Sequence, residues 1–272
     1  MLDYDWPLFR PPSEANSLIF QVTLGCSHNQ CLFCGMYKSK SFKIKPLDLV
    51  LAEIEAAARS DYQVRRVFLA DGDALALPAA DLITILRAIQ KSFPDVRRIS
   101  AYASANNLLL KSPDELNDIQ AAGLSLIYLG LESGDPKTLF KMKKGSTPEE
   151  NIKAVIKAKK AGMTVSVMAI LGLSGRQGSL EHAVLTAKAV SEMNPPFFSA
   201  LTLMVPQEVS FRQMIEKNEF EVLTPGEILE ELKNLIQHIE GNQIVFRTSH
   251  ASNYLNLRGI LSRDRQRLIE TI

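Results

Sequence analysis

Leu18-Ile19-Phe20-Gln21-Val22-Thr23-Leu24 runs directly into Gly25-Cys26-Ser27-His28-Asn29-Gln30-Cys31-Leu32-Phe33-Cys34-Gly35. The apolar, partly β-branched run reads as a buried strand, and the glycine ends it. The loop that follows holds all three cysteines of the 272-residue chain. Packed this closely, they cannot form a secreted disulfide framework, and in a reducing compartment such a group reads as metal binding. A [4Fe–4S] cluster normally takes four thiolates, so a cluster on Cys26, Cys31 and Cys34 would leave one iron open for an exogenous ligand. The competing reading is zinc completed by His28 or a distant histidine. No second ligand pair follows at finger-like spacing.

Outward from this loop, short apolar runs alternate with longer helical patterns. Strands are expected at Leu18–Leu24, Arg66–Ala70, Arg98–Ala103, Leu124–Leu131, Met163–Leu171 and Phe197–Leu203, and helices near 47–60, 79–92, 114–122, 149–161 and 180–193. Ser112-Pro113-Asp114-Glu115 and Thr147-Pro148-Glu149-Glu150 each offer a hydroxyl cap, a proline in the first turn and a glutamate three residues on. That arrangement satisfies the orphan backbone donors of a helix start. Strand, helix, strand repeated in this way indicates parallel βαβ units, with an open or closed barrel leading and a doubly wound sheet as the other solution. In either, chemistry is expected at the C-terminal ends of the strands. After residue 204 the alternation weakens. A helix from Thr224 to about His238, a strand-like Ile244–Thr248 and a basic helix near 257–271 follow.

With 46% hydrophobic residues the chain can bury a sizeable core, and 31 Lys plus Arg against 30 Asp plus Glu give no strong signal for nucleic acid. Lys38, Lys40, Lys43 and Lys45 read as a solvated loop or as contacts to phosphate or an acidic substrate. No apolar run reaches the roughly 18 residues of a membrane span. The proline-rich start lacks the form of a signal peptide, so a cytoplasmic protein without a membrane partner is expected.

Other polar groups fall at expected strand ends. Asp71-Gly72-Asp73 reads as a site or as a capping turn; Ser104 and Asn106 face a cavity or are ordinary turn residues. Gly130-Leu131-Glu132-Ser133-Gly134 is followed by Lys141-Met142-Lys143-Lys144-Gly145. The turn Gly172-Leu173-Ser174-Gly175 fits neither common phosphate-binding glycine motif. Arg247–Tyr254 concentrates polar groups, and His250 and Tyr254 are expected at the substrate end, the first to position or protonate substrate, the second to supply a hydrogen atom. A hydrogen-bonded cap on the last helix is the alternative.

The CX4CX2C loop after the first strand, with Phe33 before the last cysteine, resembles the radical S-adenosylmethionine superfamily, although CX3CX2C is the commoner spacing there. The likeness covers about residues 17 to 205. The Gly130–Gly145 stretch is similar to the branch with oxygen-independent coproporphyrinogen oxidase-like proteins and the Elongator catalytic subunit. The resemblance implies a partial (β/α)6 TIM-like barrel at 17–205, an N-terminal extension at 1–16 and a C-terminal α/β extension at 206–272. It also implies an enzyme with a [4Fe–4S] cluster on Cys26, Cys31 and Cys34, whose open iron binds the methionyl part of S-adenosylmethionine. Reductive cleavage would release a 5′-deoxyadenosyl radical that abstracts hydrogen from a small-molecule or RNA-borne substrate. By the same resemblance Phe33, Gly172 and Met204 lie near the adenine, Asp71, Gly72 and Asp73 near the methionine amino group, and Glu132 near the cofactor's polar parts, with Ser104 and Asn106 facing the same cavity. A reductant such as flavodoxin or ferredoxin would be the partner. The rival reading within this fold is a non-catalytic heme or metal carrier.

Overall fold

The computed structural model describes residues 2–60, 63–205 and 210–272. The chain divides into two compact units. The first takes Met1–Asn29, Met36–Tyr128 and Lys157–Thr164; the second takes Gln30–Gly35, Leu129–Ile156 and Val165–Ile272. The cysteine loop is therefore apportioned, Cys26 to the first unit and Cys31 and Cys34 to the second.

In the first unit, β1 (Leu18–Gln21), β4 (Arg66–Ala70), β5 (Arg98–Ala103) and the start of β6 (Leu124–Glu132) are neighbours in that order. β1 and β4 pair in parallel with Phe20 opposite Leu69, and β4 and β5 pair in parallel with Phe68 opposite Ser100. Parallel pairing needs crossovers. These are α1 (Leu47–Ala58), α2 (Ala79–Ser92), and the pair α3 (Ala105–Leu110) and α4 (Pro113–Ala121). α2 shows why these segments are helical: Leu82, Ile85, Leu86 and Ile89 recur at i, i+3, i+4 and i+7 and are all fully buried. α4 starts with the expected capping box, Ser112 and Glu115 serving each other's backbone N–H.

Expectation and structure part at the first strand. The run 18–24 is two elements: β1 stops at Gln21, and β2 (Thr23–Leu24) pairs antiparallel with β3 (Lys43–Ile44) instead. The Val22 N–H still donates to the Ala70 carbonyl at 2.6 Å, while Lys45 N–H reaches the Val22 carbonyl, so the chain changes partners at this residue. Glu14 is fully buried, accepting from the Tyr128 hydroxyl at 2.6 Å and pairing with Arg98 at 2.8 Å.

In the second unit the rest of β6 is followed in the sheet by β7 (Thr164–Leu171), β8 (Phe197–Thr202), β9 (Val245–Arg247) and β10 (Arg258–Ile260). β7, β8 and β9 are parallel, and β10 turns back antiparallel. The helices are α5 (Pro136–Lys141), α6 (Pro148–Lys160, which runs between the units in sequence), α7 (Ser179–Met193), α8 (Phe211–Glu216), α9 (Pro225–His238) and α10 (Leu261–Thr271). The basic helix expected from 257 therefore starts four residues later, because Arg258–Ile260 is taken as a strand against β9. The architecture is the expected α/β fold on a mostly parallel sheet. Among the described residues no helix is long and apolar enough to cross a membrane.

Candidate functional site

Within the first unit, three consecutive residues after β4 hold three consecutive residues of the cysteine loop. The buried Asp71 carboxylate accepts from the Gly25 N–H at 3.0 Å, and Gly72 N–H donates back to the Gly25 carbonyl at 2.9 Å. Asp73, also buried, accepts from the Ser27 hydroxyl at 2.9 Å. Between them Gly72 lies against Cys26: a Cβ there would stand 3.0 Å from the Cys26 Cβ and 3.1 Å from its Cα. A side chain at this position would push the two strands' ends apart by a few tenths of an ångström.

Both carboxylates have further donors. Asp71 takes Gln21 Nε2 at 3.1 Å and the Lys40 ammonium at 2.9 Å, and Lys40 also pairs with Asp5 at 3.2 Å. Asp73 takes Asn107 Nδ2 at 2.6 Å and Ser104 N–H at 3.3 Å. Hydrogen bonds to ionised acceptors are about twice as strong as neutral ones, so this clamp fixes the loop firmly on both sides of Cys26. Ser104 is the N-cap of α3, accepting from Asn107 N–H at 3.2 Å. Asn106 is exposed on the same helix, and the neighbouring Asn107 joins the clamp.

Within the second unit, Phe33 is buried in a cluster with Met142, Leu173, Phe211 and Phe220, and Cys31, Leu32 and Cys34 pack against it. The Leu32 N–H donates to the Met142 carbonyl at 3.0 Å, fixing this half of the loop to the turn after α5. Leu203 and Val205 join the same cluster, whereas Met204 between them is 62% exposed.

Glu132 closes β6 in a left-handed backbone conformation, φ +64°. Its carboxylate meets the Lys144 ammonium at 2.9 Å, both side chains being largely buried. It folds back over Gly130, where a Cβ would overlap it. Burial pushes the Lys144 pKa down, but the Glu132 carboxylate and then the Cys31 and Cys34 sulfurs outweigh it and hold the ammonium above its ordinary range. A fixed positive charge therefore stands by two of the three thiols.

The next residue, Ser133, opens a buried chain of polar groups. Its hydroxyl lies 2.8 Å from His182 Nδ1 and accepts from the Asp135 N–H at 2.9 Å. His182 Nε2 faces the Ile170 carbonyl at 3.1 Å and the Glu231 carboxylate at 3.5 Å. A carbonyl can only accept, so Nε2 carries hydrogen; in the neutral ring Nδ1 then accepts from Ser133. Glu231 accepts from the Gly172 N–H at 2.7 Å and from the Ser179 hydroxyl. The ends of β6 and β7 are thus locked by groups on α7 and α9.

The polar stretch 247–254 is stitched to β8 rather than to the last helix. Asn253 Nδ2 donates to the Ala200 carbonyl at 2.9 Å, and Thr202 donates from its hydroxyl to Asn253 and from its N–H to Ser252. His250 Nδ1 accepts from the Ser252 N–H at 3.1 Å, and Tyr254 is exposed.

None of the three cysteines is in a disulfide, and each is partly accessible. Three thiols in one loop, one held by the clamp and two within the field of a lysine, are a suitable donor set for iron–sulfur ligation. Among the described residues no three Asp, Glu, His or Cys side chains close around a single metal ion.

The family description "Radical SAM superfamily" matches residues 20–184. An uncharacterized protein of Methanocaldococcus jannaschii, MJ0486, is 24% identical over 238 residues, covering 84% of this chain and 73% of its own length. A putative methylthiotransferase of the same organism, MJ0865, is 26% identical over 181 residues, 61% of this chain and 38% of that protein. An uncharacterized protein of Methanopyrus kandleri, MK0932, is 29% identical over 157 residues, and the match spans only 29% of its length. Among solved structures, the coproporphyrinogen III oxidase HemN of Escherichia coli superposes with a TM-score of 0.63 at 19% identity, over 81% of this chain and 51% of that one. The archaeal Elp3 of Methanocaldococcus infernus gives 0.58 at 15% identity, over 83% and 58%. At these identities the likeness to solved structures is one of fold.

Proposed function

This chain belongs to the radical SAM superfamily, and from that premise we propose that it reductively cleaves S-adenosylmethionine and abstracts hydrogen from a small-molecule or RNA-borne substrate in the cytoplasm. Cys26, Cys31 and Cys34 are the ligands of a [4Fe–4S] cluster in this reading. Together the cluster and its cosubstrate supply a one-electron cleavage of the sulfonium carbon–sulfur bond and a carbon-centred radical. The observation that carries the reading is the clamp of Asp71, Gly72 and Asp73 on Gly25, Cys26 and Ser27, which spends two buried carboxylates on one reactive loop.

The chain's own groups bind, orient and exclude water around that chemistry. Lys144 offsets thiolate charge and holds Glu132 in place. The Ser133–His182–Glu231 chain keeps the ends of β6 and β7 rigid, so residues there would hold a bound cofactor in one pose. Phe33, Gly172 and Met204 are assigned to the adenine side, with Gly72, Ser104, Asn106 and Glu132 toward the polar parts. His250 and Tyr254 are assigned to the substrate. An electron carrier such as flavodoxin or ferredoxin supplies the reductant.

The test is anaerobic reconstitution with iron and sulfide, followed by dithionite and S-adenosylmethionine. Formation of 5′-deoxyadenosine and methionine, lost when any of the three cysteines becomes alanine, is the expected result. A bound cluster that never cleaves S-adenosylmethionine would replace the enzyme by a heme or metal carrier, and colourless protein holding zinc would remove the cluster.

A further inference from the structure

The sheet of the second unit is sealed on one face and half-open on the other. Val167, Ala169, Phe198, Ala200 and Phe246 are completely or almost completely buried. Side chains alternate across a strand, so their neighbours point the other way. Those neighbours, Met168, Ile170, Ser199, Leu201 and Arg247, are only half-buried. The parallel register sets them in rows. Met168, Ser199 and Arg247 stand side by side across β7, β8 and β9, and Ile170 and Leu201 form the next row toward the C-terminal ends of the strands. Parallel sheets are ordinarily covered on both faces, so a half-open row of this kind leaves room for a further molecule.

Arg247 is the charged member of these rows. Its guanidinium carbon lies 5.4 Å from the centroid of the Phe197 ring, and its Nε is buried with no hydrogen-bond partner. Among the described residues no carboxylate forms an ion pair with it. An orphan buried donor works against stability, and departures of that sort concentrate at functional sites. Arg247 is also the last residue of β9, at the foot of the loop that carries His250 and Tyr254. A guanidinium presents a planar fork that a carboxylate meets with two parallel bonds. One cation balances a monoanion, whereas an RNA backbone calls for several.

We propose that Arg247 anchors the carboxylate of a small carboxylic acid substrate, with the Ser199 hydroxyl donating to the same group and Met168, Ile170 and Leu201 bedding its apolar body. The outer Nη nitrogens meet the carboxylate, while Nε stays covered. This rests on the reading of the chain as an enzyme and narrows its substrate to one chemical class.

The probe is hexanoate, with neutral 1-hexanol and hexyl phosphate as comparisons, titrated calorimetrically into the full chain before and after cluster reconstitution. The wild type should bind hexanoate about tenfold or more tightly than hexanol, as a charge-assisted bond implies. Arg247→Met should abolish that preference and bind hexanol as before; Arg247→Lys, which lacks the fork, should restore only part of it. Because Arg247→Met removes an orphan donor, its urea midpoint should equal or exceed that of the wild type. A lower midpoint would mark a structural arginine and overturn the anchor. So would a carboxylate preference that survives in Arg247→Met, or none in the wild type. Tighter Arg247-dependent binding of hexyl phosphate would overturn the carboxylate class, and competition by S-adenosylmethionine on the reconstituted chain would give Arg247 to the cofactor instead. Absence of dithionite-driven cleavage in the wild type overturns the enzyme reading alone, since hexanoate binding is also read on the metal-free chain.

Discussion

Gly72 has Cys26 where its own side chain would be, and the contacts of a Cβ with the Cys26 Cβ and Cα, at 3.0 and 3.1 Å, involve backbone that cannot swing away. Gly72→Ala should therefore displace the loop rather than merely crowd it. Overpacking of this kind costs about 1–3 kcal/mol, which a chain of this size tolerates while remaining folded. The expected signature is iron content after reconstitution falling to well under half of wild type with circular dichroism unchanged. Full iron loading in the alanine variant would show that Cys26 does not need this position. Asp73 sets the opposite side of the same cysteine. Asp73→Asn keeps the shape but makes the bonds from Ser27 and Asn107 neutral and sets an amide NH2 against the Ser104 N–H, and iron should then load to a lesser extent than wild type yet more than in Gly72→Ala.

At the scale of elements, Glu231 ties α9 to two other pieces, accepting from the Gly172 N–H after β7 and from Ser179 at the start of α7. Glu231→Leu leaves the Gly172 N–H buried without an acceptor, at about 1–3 kcal/mol, and removes the partner of the half-buried Ser179 hydroxyl. Urea unfolding should show a lower midpoint with an unchanged slope, and an unaltered midpoint would mean that water or a side chain replaces the carboxylate. Such ties were hidden in the sequence for a physical reason. Asn107 reaches Asp73 across 34 positions, Ser133 reaches His182 across 49 and Gly172 reaches Glu231 across 59, and nothing local marks either end of these pairs. By contrast β4, β5 and α2 fall at the residues their patterns indicate, because burial on one or both faces writes a periodicity into the chain. The three six-residue helices α3, α5 and α8 span too few turns to show one, and their only local marks are caps such as Ser104 and Asp135. The cysteines and Asp71–Asp73 were legible as chemistry. That the carboxylates clamp the loop, and that Lys144 stands by two thiols, depended on the fold.

At the scale of the molecule, the proposed cluster should act on stability as well as on reaction. A group that binds the folded chain and not the unfolded one stabilises it by the logarithm of its concentration over its dissociation constant, about 2.7 kcal/mol at a hundredfold excess. For domains of 150 to 250 residues each kcal/mol moves the melting midpoint by about 2–4 °C, so loading should raise Tm by roughly 5–10 °C. The gain should be the same in Phe140→Ser, whose ring is in solvent, and absent in Cys31→Ala, whose thiol packs on the Phe33 cluster. Anaerobic calorimetry of the metal-free and reconstituted chain measures it directly. Equal midpoints would mean that the cluster binds folded and unfolded chains alike, which is incompatible with a loop that Asp71, Asp73 and Met142 hold ready in the folded state.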